Sequence, residues 1–160
     1  SRASKSGIGY GIQKKMEERY DQEEAAGTPA RINAWINATL AGGPQCAQSD
    51  WKSLAAHWKD GVVLCQFLSK LREADGKSAT KYSKNAKTTF VAMGNIETFN
   101  KSAVDYGLGQ AEAFDSVDLY EGQKGYLVNV INCLNQLGKV ANSKGFQPAY
   151  DIPDAPKLEW

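Results

Sequence analysis

One stretch constrains this chain more than any other: Trp58-Lys59-Asp60-Gly61-Val62-Val63-Leu64-Cys65-Gln66-Phe67-Leu68-Ser69-Lys70-Leu71. Val63, Leu64, Phe67, Leu68 and Leu71 recur at helical spacing, while Gln66, Ser69 and Lys70 fall on the other side. Val62 and Cys65 widen the apolar surface beyond one stripe, which predicts a helix with neighbours on several sides. Asp60 precedes the apolar run, where its carboxylate can accept N–H groups left free in the first turn. Burying each large side chain stabilises the fold by about 1.5–3 kcal/mol, so one such helix supplies much of a core. The rest of the chain is expected to wrap it.

The flanking sequence has helical period as well. Ile12, Met16 and Tyr20 repeat every four residues among Lys14, Lys15, Glu17, Glu18 and Arg19, the pattern of a surface helix with one apolar stripe. Thr28-Pro29 marks a helix start, with Thr as a cap and Pro in a first turn that needs no N–H. Ile32, Trp35, Ile36 and Leu40 form the face of that helix, and Gly42-Gly43-Pro44 ends it. Ser49 is placed to cap a short helix in which Trp51, Leu54, Ala55 and Trp58 share a face. Apolar period vanishes over residues 75–87 and returns through Phe90, Met93, Ile96, Phe99 and Ala103 to Tyr106-Gly107-Leu108. Gly94 inside that helix costs about 1 kcal/mol relative to Ala. A last long helix follows as Leu127, Val130, Ile131, Leu134 and Leu137, ending at Gly138. Beyond it Pro148, Pro153 and Pro156 exclude a continuous helix, and Tyr150, Ile152, Leu158 and Trp160 are the candidate anchors of a docked tail. The pattern predicts an all-α fold.

The residues offer little chemistry. The 160 residues carry a formal net charge of +1, so no global field points to nucleic acid or an anionic membrane. No apolar run approaches a membrane span, and Ser1-Arg2-Ala3-Ser4-Lys5-Ser6 is not the start of a signal peptide. The three cysteines form no Cys-x-x-Cys pair. Cys65 and Cys133 lie in apolar helical patterns, while Cys46 lies in a loop and is expected to be the exposed thiol; this suits a reducing, cytoplasmic setting. A single histidine, His57, rules out a His-based metal cluster, and its place between Ala56 and Trp58 is a structural one. Gly7-Ile8-Gly9-Tyr10-Gly11 follows no strand and lacks phosphate-loop spacing. Asp115, Asp118 and Glu121 share a side but lack the alternating ligands of a calcium loop, so capping and solvation account for them. Nothing in the pattern calls for a catalytic residue, a metal or a cofactor.

Several ordered motifs carry a family resemblance. Trp58-Lys59-Asp60-Gly61-Val62-Val63-Leu64-Cys65 resembles the (L/W)-K-(D/N)-G-(I/V)-(I/V)-L-C signature of calponin homology domains, and Trp35-Ile36 matches the family's W-I on its first domain helix. Phe90 to Leu108 follows the family's F-x-x-(M/L)-E-N-I-x-x-F-x-x-A-x-x-x-Y-G-V except at Gly94 and Leu108. Phe114 through Asp118-Leu119-Tyr120-Glu121 resembles the segment that introduces the last long helix. Gly9-Tyr10-Gly11 through Lys15-Met16-Glu17-Glu18-Arg19-Tyr20-Asp21 resembles the lead-in of transgelins and calponins, which calponin homology domains in general lack. The resemblance implies an all-α, single calponin homology domain, a compact helical bundle around a buried central helix, over residues 28–141. Residues 1–27 are then an N-terminal extension with a surface helix, and residues 142–160 a Pro-containing C-terminal tail. It further implies a non-enzymatic, cytoplasmic protein of the actin cytoskeleton, with filamentous actin as a weakly bound partner. The alternative is a regulatory adaptor whose domain binds a signalling protein instead of the filament.

Lys77, Lys81, Lys84 and Lys87 are the candidate filament contacts, because the basic loop from Lys77 to Lys87 contains no carboxylate. The competing reading is an ordinary solvated loop. Only Tyr82 interleaves with the lysines, which disfavours a nucleic-acid platform. Lys14 and Lys15 form a second basic pair facing away from the Ile12, Met16 and Tyr20 stripe; they are the next candidate contacts, against the competing reading of ordinary surface. A phosphate on Ser78, Thr80 or Ser83 would add about −1.5 to −2 charges and offset roughly half of the loop's positive charge, a switch expected to leave stability unchanged.

Overall fold

Residues 8–153 are described in the computed structural model, and among them the chain forms seven α-helices, one 3-10 turn and no strand. In order these are α1 (Ile8–Ala25), α2 (Thr28–Thr39), α3 (Trp51–Trp58), α4 (Val62–Ala74), α5 (Thr89–Tyr106), the 3-10 turn (Gln110–Glu112), α6 (Ser116–Glu121) and α7 (Lys124–Ser143).

The signature stretch builds α4 and welds it to α5. Gly61, not Asp60, occupies the capping position of α4, and Asp60 Oδ1 accepts the Val62 N–H of the first turn at 3.0 Å from one residue further back. Gly61 has φ of 76°, and a Cβ on it would lie 2.7 Å from Asn95 Cβ, so glycine alone lets the start of α4 approach α5 this closely. Asn95 Nδ2 donates to Asp60 O at 3.1 Å, and Cys65 Sγ donates to Asn95 O at 3.4 Å. Leu64, Cys65, Phe67, Leu68 and Leu71 are fully buried. Trp35 meets Phe67 edge-on at 4.7 Å, joining α2 to α4.

The wrapping is shared between two helices, which departs from the expectation of one. α4 packs against α5, α3 and α2, whereas α7 gathers α1, α2, α3 and α6. Leu127, Val130, Ile131, Cys133, Leu134, Leu137 and Ala141 are all buried on α7. That helix continues through Gly138 to Ser143, because Gly138 is a seat and not a stop. A Cβ there would lie 2.6 Å from Tyr150 Cγ, so the missing side chain is the notch that receives the Tyr150 ring. Asn142 then holds the Tyr150 backbone on both sides, donating to its carbonyl at 2.8 Å and accepting its N–H at 2.9 Å. The Trp35 indole donates to Pro148 O at 2.9 Å, and Tyr150 OH donates to Asn135 Oδ1 at 2.6 Å. The tail is therefore anchored at Tyr150, while Ile152 is exposed and Leu158 and Trp160 lie outside the described residues.

Other local expectations shift by a residue or a face. Tyr20 is buried as predicted, but Ile12 is 53% exposed and Gln13 is buried in its place. Thr28 does not cap α2; Gly27 occupies the capping position, and Thr28 Oγ1 accepts from Arg31 Nη2 at 3.2 Å. α3 is capped by Asp50, not Ser49, with Asp50 Oδ2 accepting the Ser53 N–H at 3.1 Å. Cys46 is buried because Asn37 and Asn33 both draw its backbone inward, their Nδ2 atoms donating to Cys46 O at 2.9 Å and 3.1 Å. Phe90, expected on the inner stripe of α5, is 88% exposed.

Two outcomes test the core. Phe67→Ala should cost about 3–5 kcal/mol of unfolding free energy, the usual loss for a large buried aromatic, and an unshifted denaturation midpoint would mean α4 is not enclosed. Burial pushes the Cys65 and Cys133 thiols up to about 12, so both should label slowly with a maleimide in the native state and rapidly in denaturant. Fast native labelling of either would contradict its burial.

Candidate functional site

The lysine-bearing loop, residues 75–88 between α4 and α5, is pinned to both helices. Arg72 Nε, near the end of α4, donates to Ser78 O at 2.8 Å. Ser69 Oγ accepts the Thr80 N–H at 3.0 Å and itself donates to Cys65 O at 2.9 Å. Asn95 of α5 grips Ser83 by both backbone groups, accepting its N–H at 2.9 Å and donating to its carbonyl at 2.9 Å. These ties draw Thr80 inside, 5% exposed, with Tyr82 half-buried beside it. A segment without apolar periodicity is thus fixed by polar contacts from the helices on either side.

The four loop lysines separate into two kinds. Lys77 is committed to the fold: Nζ donates to Asp105 O at 2.8 Å and lies 3.5 Å from Asp105 Oδ2. Arg72 Nη1 reaches the same carboxylate oxygen at 2.8 Å. Lys81, Lys84 and Lys87 are exposed. Lys14 and Lys15 are exposed as well, but on α1, which packs against α7 and α2 and so belongs to a separate part of the surface. A shallow cavity of about 280 Å³ lies beside Lys87, walled by Lys59, Asp60, Ala92 and Tyr120. Lys59 Nζ stands 4.6 Å from the Tyr120 ring centre, and Thr89 and Tyr120 share a hydroxyl hydrogen bond of 2.8 Å.

Of the three loop hydroxyls considered for phosphorylation, Ser78 and Ser83 are exposed and Thr80 is not. An acidic residue at Thr80 would enter the interior, so the expected switch without a stability change is corrected at that position. The remaining candidates take structural places. His57 is half-buried on α3, and burial lowers its pKa against the opposing charge of Asp60, which keeps it neutral near pH 7. Asp118 is buried and accepts from Asn129 Nδ2 at 3.0 Å, so solvation does not account for it. Asp115 occupies the capping position of α6. Among the described residues no group of three or more such side chains is placed to hold a metal ion.

Sequence reasoning missed the partner of Lys77. Asp105 lies 28 residues further along, on α5, and only the fold brings it beside the loop.

With the helices, their ties and the loop in place, comparison with known proteins gives the class. The Calponin homology (CH) domain family model matches residues 29–143, most of the chain, and the chain belongs to that family. It is similar to Calponin-2 of Bos taurus, with 26% identity over 148 residues that cover 91% of this chain and 42% of that protein. The chain therefore spans less than half the length of this relative. Its fold is similar to the calponin-homology domain of Rng2 from Schizosaccharomyces pombe, with a TM-score of 0.60 at 23% identity, over 83% of this chain and 77% of that one.

The Asp105 cluster gives a pH signature. The Arg72 hydrogen bond, then the Lys77 charge, hold its carboxyl below the usual carboxylate range. A folded value below the unfolded one means stability that is present above the unfolded pKa and lost as pH falls through the folded pKa. Asp105→Asn should therefore lose less stability than the parent between about pH 7 and pH values below about 3.9, the unperturbed Asp value. Equal acid sensitivity of the two proteins in urea titrations would show that this ion pair holds no proton-linked stability.

Proposed function

We propose that this domain is a non-enzymatic, cytoplasmic component of the actin cytoskeleton that binds the filament weakly through exposed charge. The observation that carries the reading is the set Lys81, Lys84 and Lys87, exposed on a loop that Arg72, Ser69 and Asn95 hold in one shape. A fixed loop loses little conformational freedom on binding, so its charges can act against an acidic surface without first paying for order. Family membership and the likeness to Calponin-2 support a cytoskeletal role. Lys77 contributes mainly to holding the loop, and Lys14 and Lys15 form a second, separate basic patch that is next in line as a contact. The other reading, an adaptor that binds a signalling protein, is kept as the outcome to expect if the filament is not bound.

The test is co-sedimentation with filamentous actin across a salt series. Exposed lysines act through a field screened over about 8 Å at physiological ionic strength, so binding should fall steeply as salt rises. Replacing Lys81, Lys84 and Lys87 together by Ala should reduce sedimentation while leaving Tm nearly unchanged, since surface substitutions rarely cost more than about 0.5 kcal/mol each. Unchanged binding would move the contact to Lys14 and Lys15, and no sedimentation of the parent even at low salt would favour the adaptor.

A further inference from the structure

Two residues on the outer side of α5 are poor choices for the fold. Phe90 is 88% exposed and takes no part in the apolar core. Leaving a large aromatic in water forgoes the stabilisation that its burial brings. Gly94 sits mid-helix with nothing within 4 Å of where a Cβ would stand, so no close packing calls for a glycine there. Glycine weakens a helix interior through the freedom it must give up, and alanine would fit without contact. The two are four residues apart, which places them one above the other on the same face. Glu97 and Lys101, exposed further along, continue that face towards solvent. Two locally unfavourable residues adjacent on one outward stripe are where a sequence departs from foldability for another purpose.

The stripe is held as firmly as the loop beside it. Thr88 caps α5, its Oγ1 accepting the Val91 N–H at 3.2 Å, and Thr89 is hydrogen-bonded to Tyr120 at 2.8 Å. Phe90 therefore projects from a fixed first turn, three residues beyond the exposed Lys87 and six beyond the exposed Lys84. The N-terminal end of α5 adds the positive pole of the helix at the same place.

We propose that Phe90 and Gly94 form the apolar anchor of the filament contact. Phe90 enters between apolar groups of the partner surface, and the bare helix at Gly94 lets that surface approach the α5 backbone. The occupant is the acidic surface of filamentous actin, because the cations and the helix pole at the Phe90 end complement it. This inference rests on the filament reading above. It follows the usual anatomy of an interface, an aromatic centre with charge around it.

Co-sedimentation with filamentous actin, together with thermal melts, tests it. Phe90→Ala should weaken binding about five- to tenfold with Tm unchanged, in the range of a truncated aromatic anchor. Gly94→Ala should raise Tm by about 2–4 °C and still weaken binding, so fold and function move in opposite directions. If both variants bind like the parent while the Lys81, Lys84 and Lys87 variant does not, the lysine reading stands and the anchor is refuted. If the parent does not sediment at low salt, the filament reading fails and the anchor with it. A lowered Tm for Phe90→Ala would make that side chain structural, and undiminished binding by Gly94→Ala would then overturn the proposal.

Discussion

The fold depends on one interaction used four times: an asparagine on a helix that grips both backbone groups of one residue in a loop. Asn37 holds Cys46 at 2.9 and 3.0 Å, and Asn95 holds Ser83 at 2.9 Å on both sides. Asn100 holds Phe114 at 3.1 and 3.2 Å, and Asn142 holds Tyr150 at 2.8 and 2.9 Å. A primary amide offers one acceptor and one donor edge, so it pairs with a peptide unit much as a neighbouring strand would. In a chain whose described residues form no strand, loops must find such partners or leave buried polar groups unpaired, at about 1–3 kcal/mol each. Three of the four clamps seat a buried side chain, Cys46, Phe114 or Tyr150, so the polar pairing and the apolar burial reinforce each other. The fourth fixes the loop that carries the exposed lysines.

This explains which parts of the fold were legible in the sequence. Helices announce themselves by period, and α2, α4 and α7 were readable because their apolar residues mix steps of three and four. The misreadings come from steps of a single length. A run at every third residue drifts about 60° per step around a helix of 3.6 residues per turn, so Phe90 lies about half a turn from Phe99. A run at every fourth residue drifts about 40° the other way, which carries Ile12 off the buried face that Tyr20 occupies. Gln13, seven residues before Tyr20, lies nearly in line with it and is buried. Regular spacing looked like one stripe and was in fact a slow spiral.

The clamps were not legible, because an asparagine on a helix reads the same whether it faces water or a distant loop. Asn95 and Ser83 are 12 residues apart and Asn100 and Phe114 are 14 apart, separations at which only the packed helices decide who meets whom. The same blindness placed Cys46 in the open and left Lys77 without Asp105. Gly138 shows it from the other side: read along the chain it is a stop, but read in space it is the seat of Tyr150. For the candidate site, the basic loop was visible as composition, while its rigidity and its division into one committed and three exposed lysines were not.

Charge and apolar contact do different work in a binding surface, and the two halves of the one proposed here are unequal. Exposed lysines gather an acidic partner and set the salt dependence of the encounter, yet each can rotate freely and specifies little about register. A field screened within about 8 Å cannot by itself choose among positions on a repeating filament. Short-range shape must do that, and it has to come from a rigid element beside the charge. α5 supplies both: its inner face carries Asn95, which helps to fix the loop, and its outer face carries Phe90 and Gly94. Asn95 thus couples the orientation of the lysines, which Ser69 and Arg72 of α4 also hold, to the helix that presents the proposed anchor.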